Sequence, residues 1–165
     1  MHERPAPYDH EQSALVDREC RTLLESTATL LFQSGAPSNF WWLANAHFIF
    51  TRNVTPRHER ETRGGKNFYI SSNDFFEGRE EPSFSLKNLV AFGTQATCYV
   101  PPPRREGKKT PGQKKYFDGV VVGYVKDMRA YKIWDLQARK IREVSFNFSV
   151  ISEGVFPFRE KKITH

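Results

Sequence analysis

The stretch 119–148 constrains the fold more than any other part of the chain, because three apolar runs follow one another there with two short polar breaks between them. Residues 120–125 are mostly β-branched or aromatic, which suits a half-buried strand. Polar and apolar residues alternate in 130–135 and again in 141–148, as they do in strands with one buried face. Asp135 is well placed to begin the second turn. The pattern predicts a three-stranded antiparallel meander.

A meander is stable only if further strands or another element cover its apolar face. Residues 89–92 and 95–100, on either side of Gly93, have strand composition and can supply two more strands. We therefore expect a small antiparallel β-barrel of about five strands over residues 87–150.

Residues 1–55 are expected to form two helices. Gly35 and Pro37 indicate the end of the first helix, and Ser38 can cap the second. The second helix is apolar on nearly all sides and needs cover on both, which one neighbouring helix cannot provide. This predicts an incomplete helical domain. The apolar stripe of the first helix consists of Val16, Cys20, Leu23, Leu24, Thr27 and Leu31.

The remaining segments are polar. Residues 56–86 are interpreted as an irregular linker with a short helical turn at 72–78, and residues 151–165 as a C-terminal tail. The whole chain is thus predicted to be α+β, with a helical part, a linker, a small barrel and a tail.

Positive charge is concentrated in one segment of a chain whose formal net charge is +6. Residues 101–115 contain six basic residues against the single acid Glu106, together with several prolines and glycines. Two interpretations remain open: a solvated hairpin loop, or an arm that binds phosphates with release of counterions. The predicted nucleic-acid contacts are Arg104, Arg105, Lys108, Lys109, Lys114 and Lys115 in this segment, and Lys126, Arg129 and Lys132 on the barrel.

Several classes of protein are not indicated. No apolar run approaches the roughly 18–20 residues that a membrane span needs, and the polar, Pro-containing start does not resemble a secretory signal. Cys20 and Cys98 lack the paired spacing of a zinc site and are interpreted as free thiols, with Cys20 on the apolar stripe. Neither a Ser/His/Asp nor a Cys/His arrangement stands out.

An ordered set of short motifs resembles a known family. The set comprises Arg-Thr-Leu-Leu-Glu at 21–25, Gly35-x-Pro37-x-x-Phe40-Trp41, Asn53-x-Thr55-Pro56, Leu89-Val90-x-Phe92-Gly93, Val122-Gly123-Tyr124, Tyr131-x-x-Trp134-Asp135 and Lys140-Ile141. Over roughly residues 5–150 the chain resembles the integrase region of copia-type LTR retrotransposon Pol polyproteins.

The resemblance implies that the helices are the end of an RNase H-like catalytic core and that an SH3-like barrel begins near Leu89. In that family three acidic residues bind two Mg²⁺ ions, which clamp the attacking and leaving oxygens of a phosphodiester. Asp17 occupies the position of the third acid and is the candidate catalytic and metal-binding residue.

The chain departs from the family pattern at this site. Asp17 stands where Glu is usual, and its carboxylate reaches one methylene less far toward a metal that tolerates little geometric error. The other two acids lie upstream of Met1 in the family, and nothing resembles its His/Cys zinc domain. We therefore expect no cofactor in this chain, Mg²⁺ only in a full-length parent, and no strand transfer by the chain alone.

Two functions follow as hypotheses. In the first, the chain is a non-catalytic nucleic-acid-binding piece of an integrase region that joins cDNA ends to host DNA. It would contact DNA phosphates without sequence preference, associate with other parts of the Pol polyprotein, and reside in the nucleus or in a cytoplasmic element particle, not in a membrane. In the second, the barrel binds peptides through Tyr124, Tyr131 and Trp134, although burial of these rings in the core is the favoured interpretation.

Overall fold

The computed structural model of the protein describes residues 10–61, 67–79, 82–101, 115–125 and 129–160. The helices are α1 (His10–Ser34), α2 (Trp41–Val54), α3 (Ser72–Phe76) and α4 (Pro157–Glu160), and short 3-10 turns lie at Ser38–Phe40, Leu86–Asn88 and Phe146–Phe148. The strands are β1 (Pro56–Glu61), β2 (Asn67–Ser71), β3 (Gln95–Tyr99), β4 (Tyr116–Tyr124), β5 (Ala130–Asp135), β6 (Lys140–Ser145) and β7 (Ser149–Ser152).

The two long helices confirm the prediction for the N-terminal part. Helix α1 ends where Gly35 adopts a φ of 68°, a left-handed conformation that glycine adopts without steric cost. A 3-10 turn rather than a Ser38 side-chain cap precedes α2, and Pro37 stands at the cap position of that turn. Residues of α1 near its C-terminus are buried, whereas Leu24 is 72% exposed.

The predicted stripe of α1 is therefore only partly buried. Thr27 lies in the interior and Leu23 and Leu31 are half-buried, but Val16 and Cys20 are exposed along with Leu24. Cys20 is thus not the core residue that the helical spacing predicted. Within the described residues, no element covers the N-terminal half of this stripe.

Among the described residues, seven strands form two antiparallel sheets. The larger sheet has the order β6-β5-β4-β3-β7, and its β4-β5-β6 part confirms the predicted meander. A register shift between Val121 and Gly123 places a bulge in β4. Because a bulge changes the alternation of faces, Tyr124 lies on the same side as Val121, opposite Tyr131 of β5.

The predicted barrel differs from the observed sheet in two ways. The outer strands β6 and β7 are not paired with each other in the described part of the chain, so the sheet is open rather than a closed barrel. Residues 89–92 form no strand, and the fifth strand is instead β7. The Tyr124 hydroxyl accepts a 2.8 Å hydrogen bond from Val90 N, and the Tyr131 hydroxyl donates to Asn88 O at 3.1 Å. These bonds hold the segment against the ends of β4 and β5.

The predicted irregular linker contains regular structure. Strands β1 and β2 form an antiparallel hairpin, and α3 follows directly, within the helical turn that the sequence predicted. Ser71 caps α3: its side chain accepts a hydrogen bond from Asp74 N and donates to the Asp74 carboxylate at 2.5 Å. Burial raises the pKa of Asp74, but hydrogen bonds from Ser71 and Ser83 lower it by more, so the net pKa lies below its usual range.

Both faces of the larger sheet are buried. On one face a cluster around Val121, Ile133 and Tyr131 also includes Val54 from α2. On the other face Val120 and Val122 pack against Phe40, Leu43 and Ala44 from the helical part. Helix α2 thus contributes to both clusters and joins the helices to the sheet. Among the described residues, no helix combines the length and apolarity that crossing a bilayer requires.

Candidate functional site

A groove with a volume of about 840 Å³ runs along β6, at the open side of the sheet. It lies between β6, the end of β3 and the segments that flank the β4–β5 connection. Its lining residues are Tyr99, Val100, Pro101, Phe117, Val125, Arg129, Ala130, Lys140, Ile141, Arg142, Glu143, Val144, Ser145 and Phe148. The groove therefore combines aromatic rings with three basic side chains and one acid.

The Arg142 guanidinium is held in place on the floor of the groove. Its central carbon lies 4.9 Å from the centre of the Phe117 ring, a cation–π distance. Its Nε lies 2.9 Å from Asp135 Oδ2, as an ion pair without good hydrogen-bond geometry. Asp135 is 2% exposed, and its Oδ1 accepts hydrogen bonds of 2.9 Å from Gln137 N and Ala138 N. Asp135 therefore begins the β5–β6 turn, as predicted, and also positions Arg142.

Aromatic rings line the wall of the groove opposite β6. The Tyr99 ring centre lies 6.0 Å from that of Phe148 and 5.5 Å from that of Tyr116. Phe148 is 46% exposed and Tyr116 is 57% exposed, whereas Tyr99 is half-buried. Two of these residues, Tyr99 and Phe148, are among those that line the groove.

The structure describes three of the nine predicted nucleic-acid contacts. Lys115 is exposed at the start of β4, and Arg129 lines the groove. Lys132 is half-buried and stands opposite Glu143 in the register of β5 and β6. The strand alternation places Lys132 on the face of Trp134, away from Tyr131 and Ile133. Lys132 therefore lies outside the groove. Arg104, Arg105, Lys108, Lys109, Lys114 and Lys126 lie outside the described residues.

The basic segment leaves and re-enters the sheet beside the groove. Val100 N donates a 2.9 Å hydrogen bond to Lys115 O, which extends the β3–β4 ladder by one pair. Val100 and Pro101 both line the groove. Val100 and Pro101, which precede most of the basic residues of this segment, thus form part of the groove.

Sequence reasoning missed two basic groove residues, Lys140 and Arg142. The signal was present in the alternation of β6, which places both on the face of Val144. The prediction did not include these two residues because it was based on the excess of basic residues in 101–115.

The aromatic side chains of the peptide-binding hypothesis do not form an exposed surface. Tyr124 is 7% exposed and Tyr131 is 4% exposed, and burial raises the pKa of both phenols. Trp134 packs edge-on against Phe40 with ring centres 5.0 Å apart. Tyr124 and Tyr131 belong to one core cluster and Trp134 packs against the other, which confirms the favoured interpretation that these rings are part of the core.

Asp17 is exposed on the N-terminal half of α1. In the described part of the chain, no group of three or more His, Cys, Asp or Glu side chains is arranged to hold a metal ion. Nearby, Glu19 forms a two-pronged ion pair with Arg52 of α2, with Arg52 Nη2 2.8 Å from Glu19 Oε1, and Arg52 lowers the pKa of Glu19. The described side chains around Asp17 therefore do not fit a two-metal centre, and its assignment stays a prediction.

Two other titratable groups are buried. His47 is 3% exposed, and burial lowers its pKa to about 4, with partial compensation from a hydrogen bond to the Val90 backbone. Cys98 is fully buried, and burial raises the pKa of its thiol to about 12, with the charges of Asp118 and Asp135 adding to the rise. Cys98 is thus a neutral core residue, and both cysteines are free thiols as predicted.

Comparison with known proteins identifies a distant relative. The chain is 24% identical over 153 residues to the Retrovirus-related Pol polyprotein from transposon TNT 1-94 of Nicotiana tabacum. The match covers 91% of this chain and 10% of the relative, so the chain spans about a tenth of the length of that polyprotein. No family model and no solved structure matches the chain. The match confirms the resemblance that the motifs predicted: the chain is similar to one region of a copia-type retrotransposon Pol polyprotein.

Proposed function

We propose that the chain is the part of a retrotransposon integrase region that holds DNA by its phosphates, without sequence preference and without catalysis of its own. The similarity to a Pol polyprotein supports the retrotransposon origin. In a full-length parent, this region would take part in joining element cDNA to host DNA. It would act in the nucleus or in an element particle, in association with other parts of the polyprotein.

The pairing of Val100 with Lys115 is the observation that carries this proposal. Their hydrogen bond shows that the chain leaves and rejoins the β3–β4 ladder at neighbouring points on either side of a run with five basic residues. Lys140 and Arg129 add positive charge at the same place. A cluster of cations on one side of a small domain binds duplex phosphates and releases their counterions.

A finer assignment of the fold accompanies the proposal. The strand order and the 3-10 turn between β6 and β7 are compatible with an open SH3-like sheet, and α1 and α2 with the end of an RNase H-like core. Mg²⁺ would belong to the catalytic centre of a complete parent. Asp17 lies exposed on α1, and the proposal assigns this chain no catalysis of its own.

The salt dependence of DNA binding tests the phosphate contacts. We expect simultaneous replacement of Lys108, Lys109, Lys114 and Lys115 by Ala to weaken binding to a random duplex. The slope of log K against log salt should become shallower by about three to four units if each lysine neutralises one phosphate. Fluorescence anisotropy over a salt series measures both quantities.

A matched control removes the same charge elsewhere. Arg18, Arg21, Arg57 and Lys87 are exposed and do not line the groove, so their replacement by Ala should leave the slope nearly unchanged. Equal slopes for the unmodified chain and the segment variant would remove these lysines from the binding surface. Mg²⁺-dependent strand transfer by the chain alone, abolished by Asp17→Ala, would contradict the non-catalytic assignment.

A further inference from the structure

The groove along β6 has the size and lining of a site for individual bases. Its volume of about 840 Å³ lies within the ~300–1,000 Å³ of clefts that enclose small ligands. Tyr99, Phe117 and Phe148 supply ring surface within it. Aromatic side chains in a basic groove are the features on which unpaired bases stack in proteins that bind single strands.

The rings form a continuous wall. Phe148 contacts Tyr99, and Tyr99 contacts Tyr116, with centre-to-centre distances of 6.0 and 5.5 Å. Phe148 and Tyr116 are about half exposed, at 46% and 57%, although rings of this size usually bury most of their surface. This exposed ring surface is distinct from the two core clusters, which contain none of the three residues.

The charges of the groove match a nucleotide chain. Lys140 and Arg129 line the groove and carry charges that attract phosphates, whereas Arg142 lies over Phe117 beside Asp135. A guanidinium held on a ring adds a cation–π surface for a base. Glu143 is the one acid in the lining, so positive charge predominates.

We propose that this groove binds unpaired nucleotides, as in a single-stranded overhang or a frayed end, by stacking bases on Tyr99 and Phe148 and by contacting their phosphates with Lys140 and Arg129. The inference rests on the proposed DNA-binding function and adds a preference for unpaired ends to it. The basic segment would hold the duplex, and the groove would take the bases that are not paired.

The test compares two DNA ligands that share one duplex: a blunt duplex and the same duplex with a five-nucleotide single-stranded overhang. We expect the overhang to bind about tenfold more tightly, since stacking of even one base contributes roughly that factor. Phe148→Leu and Tyr99→Leu should remove most of this preference while changing blunt-duplex affinity less than twofold. Tyr69→Leu and Phe76→Leu, at exposed rings outside the groove, should retain it.

A spectroscopic readout on the unmodified protein keeps the test independent of variant stability. A 2-aminopurine base in the overhang should lose fluorescence on binding as it stacks, and the same base within the blunt duplex should change little. Equal affinities for the two ligands, or an unchanged signal, would overturn the inference while leaving salt-dependent duplex binding intact.

Other outcomes separate the inference from the proposed function. Failure to bind either ligand would overturn both. A third outcome would assign the groove to a protein partner instead. In that case the protein binds neither DNA ligand, and an acidic peptide changes the fluorescence of a label attached at Lys140.

Discussion

His47 lies between the two cores, with its ring 5.5 Å from that of Phe92 and 5.4 Å from that of Tyr124. Its Nδ1 is buried without a hydrogen-bond partner among the described residues. Protonation would place a positive charge in this apolar site, so the folded protein favours the neutral imidazole. The consequence is a dependence of stability on pH.

The sign and window of this dependence follow from the pKa. The pKa of about 4 in the folded protein lies below the ordinary histidine pKa of 6.5, so between these values the unfolded chain binds more protons and stability falls as pH decreases. We expect His47 to account for a loss of about 2 kcal/mol in unfolding free energy between pH 7 and pH 5. Urea titrations at both pH values measure it.

His47→Leu serves as the comparison for that measurement. The variant changes packing, but its own difference between pH 7 and pH 5 should be smaller by about the same amount. If the two proteins lose equal stability over this interval, His47 titrates normally in the folded state.

Asp135 has two separable roles. Its Oδ1 accepts the backbone bonds of the turn, and its Oδ2 pairs with Arg142. Asp135→Asn keeps a side-chain acceptor for the turn but removes the ion pair, and should cost about 1–2 kcal/mol. Asp135→Ala should cost about 1 kcal/mol more, because the two amide donors of the turn lose their side-chain acceptor. Thermal and urea unfolding of the two variants distinguish the roles. Equal losses of unfolding free energy would show that Asp135 stabilises the protein through its ion pair with Arg142 alone.

At the scale of elements, the end of α1 packs tightly against the turn before β3. A Cβ on Gly93 would lie 2.4 Å from Ser34 Cβ, and Gly93 adopts a φ of 81°. Gly93 N also donates a 2.8 Å hydrogen bond to Val121 O, which fixes the turn on the sheet. The helix and the turn are therefore closer than two ordinary residues permit.

We expect Gly93→Ala to be strongly destabilising, by about 3 kcal/mol or more, because both the clash and the positive φ oppose it. Ser34→Gly removes the clashing Cβ, at the cost of helix propensity and of the hydrogen bonds that the Ser34 hydroxyl makes with Leu30 O and Ala36 N. The double variant should be less destabilised than the sum of the single variants, since the clash is absent from it. Additive costs in urea titrations would show that the clash does not determine the effect.

The elements differ in how far the sequence could predict them. The meander was predictable because the alternation in 130–135 and the apolar run in 120–125 are local signals. The absence of a strand at 89–92 was not predictable from the sequence. Hydrogen bonds of Val90 to the Tyr124 hydroxyl and of Asn88 to the Tyr131 hydroxyl hold this part of the chain, and both tyrosines lie more than thirty residues away. The hairpin of β1 and β2 gave no strong local signal either, since its first strand, Pro56–Glu61, is almost entirely polar.

The groove was predictable only in part. Charge counting identified the basic segment and Arg129, but neither the pairing of Val100 with Lys115 nor the place of Val100 and Pro101 in the groove. Lys132 was assigned to the same surface because sequence spacing does not reveal which face of a sheet is already covered by a helix.

At the scale of the whole molecule, the helices and the sheet share their interior. Phe50 of α2 stacks on Tyr124 at 4.3 Å, and Phe40 packs on Trp134 from the other side of the sheet. The sequence predicted a helical part and a barrel separated by a linker, and such parts could unfold separately. The shared clusters instead favour one cooperative unit.

A single-tryptophan variant tests this cooperativity. With Trp41 and Trp42 replaced by Phe, the fluorescence of Trp134 reports on the sheet, while far-ultraviolet circular dichroism reports mainly on α1 and α2. Both signals should show one urea midpoint. Leu43→Ala, in the cluster between α2 and the sheet, should lower both midpoints together at a cost of about 2–4 kcal/mol. If the two signals had different urea midpoints and Leu43→Ala lowered only one of them, the helices and the sheet would unfold as independent units.

The bond between Val100 and Lys115 has an evolutionary consequence. Because the chain departs from the sheet and rejoins it at adjacent points, doubling the number of intervening residues costs only about 0.6 kcal/mol of closure entropy. A change in the number of residues in 102–114 therefore costs little closure entropy as long as Val100 and Lys115 remain paired. Length and charge can vary in this basic part of the sequence at little cost to the pairing of β3 with β4.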